Sequence, residues 1–166
     1  MTRTEGAREA CRLLGGLLLD GASAALLAEL ARDGLARRLG QELGGAIAGP
    51  FAGMDRALAD EGTAAVSAEY TRLTAADAGA RRPVPVPLWE DVHLGADRRV
   101  MGERSRAVLQ AYAAAGLGFD GMKEVPADHI GLELLFVATL LDEEIRLGRD
   151  AAARRGFVAA HLAPFA

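Results

Sequence analysis

Lysine is almost absent from this sequence: of 19 basic residues only Lys123 is not arginine. Bias of that kind fits a GC-rich coding sequence as well as any phosphate-binding purpose. With a net charge of −4, the chain does not read as a general nucleic-acid binder. Cysteine is reduced to Cys11, which excludes an intramolecular disulfide and a cysteine-rich zinc site. Cys11 reads as a small apolar residue on a helix. Aromatics make up 5% of residues, so a core must be built mostly from Leu, Ala, Val and Ile. Long apolar runs are missing as well. Leu134 to Leu141, with Thr139 inside it, spans eight residues, against the roughly 20 that a bilayer-crossing helix needs. The stretch Leu13–Leu19 does not read as a signal peptide, because Glu5 and Glu9 precede it and Gly15-Gly16 interrupt it. The expectation is a cytoplasmic protein.

Enzyme signatures are missing too. There is no GxSxG, no P-loop, no HExxH and no GxGxxG turn. The pair Arg81-Arg82 is no export signal, since it lies mid-chain with no apolar segment after it; two solvated loop charges explain it better.

Helical periodicity is present nearly everywhere, and no segment alternates as a strand does. The 166 residues fit one domain, residues 1–166, with a 51% hydrophobic content sufficient for a core. A first helix is predicted over Arg3–Asp20, with Gly21 as its stop. A second starts after Ser23, is broken by Asp33-Gly34, and resumes until Gly49-Pro50. Asp55 is expected to cap a helix whose stripe is Leu58, Gly62, Val66, Tyr70 and Leu73. Pro83, Pro85 and Pro87 at alternate positions make residues 78–95 an extended loop. Asp97 is expected to cap a helix to Ala115, with Val100 and Met101 facing the core. The strongest helix follows over Ala127–Leu147, and a last one over Arg149–Leu162.

The most unusual run is Glu124-Val125-Pro126-Ala127-Asp128-His129, at the start of the strongest helix. Pro and Asp suit a first helical turn, where the missing donor is harmless and the negative charge meets the positive end of the dipole. His129 suits it less well. A capping motif is one reading. A metal site is another, because His129 and Glu133 are four apart and His93 or His161 offers a third ligand. Trp89, the only tryptophan, stands beside Glu90 and Asp91, either plugging its loop onto the bundle or walling a peptide groove.

Taken in order, Glu69–Leu73, Val86–His93, Val108–Tyr112 with Gly116-Leu117, Glu124–Phe136 and His161–Phe165 resemble the TorD/DmsD/NarJ family of cytoplasmic redox-enzyme maturation chaperones. The likeness spans about Leu58 to Leu162. The Pro126-x-Asp128-His129 segment, leading into Glu133 and Phe136, is its most specific part. What the resemblance implies is an all-α, single-domain helical bundle. Its function would be to bind the twin-arginine signal peptide of a molybdopterin-containing oxidoreductase subunit. The apo form would be held back from export until its cofactor is inserted. No catalytic residue, cofactor or metal of its own is implied. By motif position, the signal-peptide-binding residues would be Tyr70, Trp89, Glu90, Glu124, Pro126, Asp128, His129 and Glu133.

This chain has Leu73-Thr74 where the family often has Leu-Phe, and Glu90-Asp91-Val92-His93 where it often has Glu-Ser-Val-Tyr. Those changes bear on which partner is recognised. Family members usually continue for one or two helices beyond the final aromatic element. Without those helices, an apolar groove is expected, open to a partner, a second copy in a homodimer, or a swapped segment. An apolar groove flanked by Glu90, Asp91, Glu124, Asp128 and Glu133 is the arrangement a basic, apolar leader would need. The competing readings are a small metal-dependent hydrolase using His129 and Glu133, and a helical adaptor with no export role.

Overall fold

The computed structural model describes residues 2–74, 85–118 and 125–165. All of its extended secondary structure within those residues is helical. In chain order the helices are α1 (Arg3–Asp20), α2 (Ala24–Asp33), α3 (Leu35–Leu43), α4 (Ala48–Asp60), α5 (Thr63–Thr74), α6 (Glu90–Leu94), α7 (Glu103–Ala114), α8 (Ile130–Leu147) and α9 (Ala152–Phe157). A wider π-type turn, Val158–Leu162, continues α9. The predicted all-α bundle is the observed one.

α1 starts at a capping box. The Glu5 amide donates to Thr2 Oγ1 at 3.2 Å, and the Thr2 amide donates back to Glu5 Oε2 at 2.7 Å. α1 then packs antiparallel on α8. Gly15 faces Gly131 and Leu135 at one end of this pair, and Arg8 meets Asp142 at 3.0 Å at the other. Glycine is required at this crossing. A Cβ on Gly131 would sit 2.9 Å from the Gly15 carbonyl oxygen and 3.0 Å from the Leu19 amide nitrogen. Side-chain atoms could yield at such distances, but here the neighbours are backbone.

The core has three parts. Val108, Tyr112, Phe136, Val137, Leu141 and Phe157 pack between α7, α8 and α9. Leu17, Leu27, Leu30 and Leu58 join α1, α2 and α4. Ala36, Leu39 and Phe51 join α3 and α4 beneath Ala10. Cys11 lies half-buried against the first part, and burial pushes its thiol up to about 11, so it stays protonated and unreactive.

Ser23 caps α2 as expected, accepting from the Leu26 amide at 3.2 Å. Gly34, at φ +55°, makes the break after Asp33. Five expectations are corrected. Of the extended loop expected over residues 78–95, residues 90–94 instead form α6, capped by Asp128 from the loop before α8, and residues 78–84 lie outside the described residues. Helix α3 ends at Leu43 because Gly44 and Gly45 both take positive φ, and Pro50 lies inside the first turn of α4 and does not end a helix. Asp55 caps nothing. It is buried in mid-α4 and accepts from Arg37 Nε at 2.8 Å. The stripe from Leu58 to Leu73 is cut by Gly62 at φ +83°, which separates α4 from α5. Residues 97–102 are not helix. Arg98 and Met101 take positive φ there, and Val100 and Met101 are 46% and 68% exposed where core positions were expected. The amides that begin α7 are capped by Asp91 of the preceding helix α6, not by Asp97.

Candidate functional site

Two loops meet in an antiparallel clasp. Trp89 and His129 form an isolated bridge. The Ile130 amide donates to the Leu88 carbonyl at 2.8 Å, and the Glu90 amide donates to the Asp128 carbonyl at 2.9 Å. The Asp128 carboxylate then accepts from the Asp91 amide at 2.8 Å. Asp128, from the loop before α8, therefore satisfies the first two free amides of α6.

Asp91 repeats the device one element later. Its carboxylate accepts from the amides of Arg104 at 3.2 Å and Ser105 at 3.0 Å, at the start of α7. A Cβ on Gly102 would lie 2.6 Å from that carboxylate, so glycine leaves room for it. Asp91→Ala would leave two amides unpaired, Ser105's in a buried position. We expect it to lower stability by about 2 kcal/mol in urea unfolding, with α7 fraying first by hydrogen exchange.

His129 caps its own helix. Its Nδ1 accepts from the Gly131 amide at 3.1 Å, so that nitrogen carries no proton and the ring is neutral. Burial holds the His129 pKa below its ordinary value, against the opposing pull of the Asp128 charge. The Trp89 ring meets the imidazole edge-on at a centroid distance of 5.6 Å. Tyr112 fastens the same loop from α7, its hydroxyl donating to the Ala127 carbonyl at 3.1 Å.

Under the clasp lies a buried ionic group. Glu90 is fully buried and pairs with Arg104 on one oxygen and with His161 Nδ1, at 2.9 Å, on the other. Glu133 is fully buried one turn into α8, and neither of its oxygens has a hydrogen-bond partner among the described residues. Burial pushes its pKa up to about 8, the negative charges of Glu90 and Asp128 add to this, and Arg104 opposes it. Glu133 is thus largely protonated at neutral pH.

From the clasp an aromatic series runs outward. Tyr112 to Phe136, Phe136 to Phe157 and Phe157 to His161 have ring centroids 4.6, 4.7 and 4.8 Å apart. This series borders a cleft of about 480 Å³ between α7, the second half of α8, and α9. Its lining is apolar, with Ala111, Ala114, Phe136, Leu140, Phe157 and Ala160. Its rim carries Glu143, Glu144 and Asp150. Glu143 pairs with Arg149 at 2.7 Å and Glu144 with Arg154 at 2.8 Å.

The structure brings together Trp89, Glu90, Pro126, Asp128, His129 and Glu133 at the clasp. It leaves Tyr70 elsewhere: that hydroxyl donates to the Leu18 carbonyl at 3.0 Å and its ring packs against the α1–α2–α4 cluster. Glu124 lies outside the described residues. Glu90, Asp91, Asp128 and Glu133 are all buried, so in this conformation they are not a solvent-facing rim; Glu90 is paired by Arg104 and His161, Asp91 and Asp128 by helix amides, and Glu133 has no hydrogen-bond partner among the described residues. Sequence reasoning missed Arg104 as the partner of Glu90, and missed the rim acids Glu143, Glu144 and Asp150. The proposed metal ligands do not converge. His161 turns to Glu90, His93 Nε2 meets the Pro87 carbonyl at 2.7 Å, and no group of three or more His, Cys, Asp or Glu among the described residues is placed to hold a metal ion.

The described residues thus form an α-helical bundle with an apolar cleft beside a clasped loop-to-helix joint. A family model, that of the nitrate reductase delta subunit, matches residues 40–166, and the chain belongs to that family, whose members are maturation chaperones of molybdoenzymes. Neither the search of curated proteins nor that of solved structures returned a match. No helix among the described residues is long and apolar enough to cross a membrane.

Proposed function

We propose that this chain is a single-domain cytoplasmic chaperone that binds the twin-arginine signal peptide of a molybdopterin-dependent oxidoreductase catalytic subunit. It holds the apo subunit until its cofactor is inserted, and it performs no chemical step itself. The observation that carries this reading is the α7–α8–α9 cleft, whose apolar floor abuts the clasp through Phe136 and His161.

A leader of this kind has a basic head and an apolar stretch. The apolar stretch suits the floor, where binding gains about 25 cal/mol per Å² of apolar area before ordering costs are subtracted. The basic head suits the rim. Arg149 is 59% exposed, so its pair with Glu143 contributes little and a client guanidinium can replace it at low cost. The rim acids would then set orientation and encounter rate more than affinity.

Calorimetric titration with a synthetic twin-arginine peptide tests the proposal. Ala114→Trp fills the cleft from an exposed position and should weaken binding about tenfold or more, equal to about 1.4 kcal/mol. Asp128→Ala loosens the clasp; it should weaken binding and make it depend more on the apolar segment. Unaltered affinity and salt dependence would remove Asp128 from the site. A wild-type protein that ignores the peptide but captures an unrelated amphipathic helix would instead support the adaptor reading.

A further inference from the structure

The turn between α6 and α7, residues 95–102, and the first turn of α7 carry four arginines, Arg98, Arg99, Arg104 and Arg106, against the acids Asp97 and Glu103. By count the segment carries two net positive charges on a chain of net charge −4, and the buried Asp91 also borders it. The arginines border a concavity of about 730 Å³ separate from the peptide cleft. Arg99 is tied to Asp97 at 2.6 Å, an exposed pair, and Arg104 to Glu90. The exposed side chains of Arg98 and Arg106 make no hydrogen bond or ion pair among the described residues.

Two apolar side chains stand beside them. Met101 is 68% and Val100 46% exposed, although both are in a chain with ample core to bury them. Their display is enforced by the backbone. Arg98 and Met101 sit at φ +49° and +65°, a region that non-glycine residues enter at a cost and keep only where the surroundings hold them. The hold is visible: the Asp91 carboxylate grips the α7 amides directly after the turn, with Gly102 pressed against it.

We propose that this turn is a second docking surface, which receives an acidic protein segment bearing an apolar side chain. The segment's carboxylates would take the forked guanidiniums of Arg98 and Arg106, and its apolar residue would cover Met101 and Val100. Guanidinium pairs bidentately with carboxylates and phosphates alike; the exposed Met101 and Val100 lining the same concavity favour a peptide that brings an apolar side chain with its acids. The surface does not depend on the peptide cleft, and its test uses neither the cleft nor a twin-arginine peptide.

The test is fluorescence anisotropy of a short labelled peptide of Glu and Asp with one central Leu, titrated with the full chain. The wild type should bind it, and the affinity should fall as salt is raised. The double variant Arg98→Glu/Arg106→Glu should bind about tenfold or more weakly with an unchanged circular dichroism spectrum, because both positions are exposed. Met101→Ser should weaken binding without changing the salt dependence. Equal binding by the double variant, or no binding by the wild type, would overturn the proposal. So would a wild type that prefers vesicles of phosphatidylglycerol in phosphatidylcholine to the peptide, since that result would make the turn a membrane contact.

Discussion

Glu133→Gln should make the protein more stable than wild type at pH 8 and no more stable, or slightly less so, at pH 5. The reason is the mismatch between the native and unfolded carboxyl. In the native state burial pushes its pKa up to about 8, whereas the ordinary value is 4.5. Between these values the native state holds a proton that the unfolded state has released. Unfolding then becomes progressively easier as pH rises through that window, and the loss levels off above about pH 8. At roughly 1.4 kcal/mol per unit, the swing is on the order of 4 kcal/mol. Glutamine has nearly the same shape and no charge to bury, so the swing vanishes. It brings an amide that lacks a partner, a cost of about 1–3 kcal/mol that is present at every pH. The two stability curves should therefore cross. Urea unfolding of both proteins across pH 5–8.5 measures the difference, and parallel curves would show that Glu133 does not titrate in this window.

His129 acts in the opposite sense. Its native pKa is lowered, so the unfolded state takes up a proton first as pH falls below about 6.5, and native stability declines on the acid side. A protonated Nδ1 also loses its ability to accept from the Gly131 amide. Acid loosens the clasp through His129 and alkali through Glu133. Comparing Glu133→Gln with wild type isolates the second contribution, because His129 is common to both.

Gly131→Ala is the second large effect, and its direction opposes helix propensity. Alanine normally gains about 1 kcal/mol over glycine inside a helix. Here the added methyl would meet the Gly15 carbonyl oxygen at 2.9 Å and the Leu19 amide nitrogen at 3.0 Å. Relief requires α1 and α8 to separate along their whole contact. We expect a loss of about 3 kcal/mol by urea unfolding. An alanine variant as stable as wild type would mean that the two helices are not in such close contact. Gly53 provides the comparison: a Cβ there meets nothing within 4 Å, so Gly53→Ala on α4 should gain stability.

Much of the architecture was legible because it is local. The span Arg3–Asp20, its stop at Gly21 and the Ser23 cap follow from near-neighbour hydrogen bonds and backbone freedom, which a few consecutive residues specify. The motif around Asp128 and His129 could be singled out for the same reason: its residue types are unusual at a helix start. Errors arose where a cap came from far away in the chain. Asp97 looked like the N-cap of a long helix, but Asp91 supplies those acceptors, and residues 97–102 are left free to turn the other way. Asp55 looked like a cap and instead answers Arg37, from another helix.

By itself, then, the sequence determined a helical fold over the described residues, both ends of α1 and α2, and a family whose members mature molybdoenzymes. The tertiary structure alone decided the fate of the acids. A carboxylate reads the same on paper whether it faces water or a helix end, because its charge depends on what folding places around it. Glu90 found Arg104 and His161, Asp91 and Asp128 found amides, and Glu133 found no partner among the described residues and so keeps its proton.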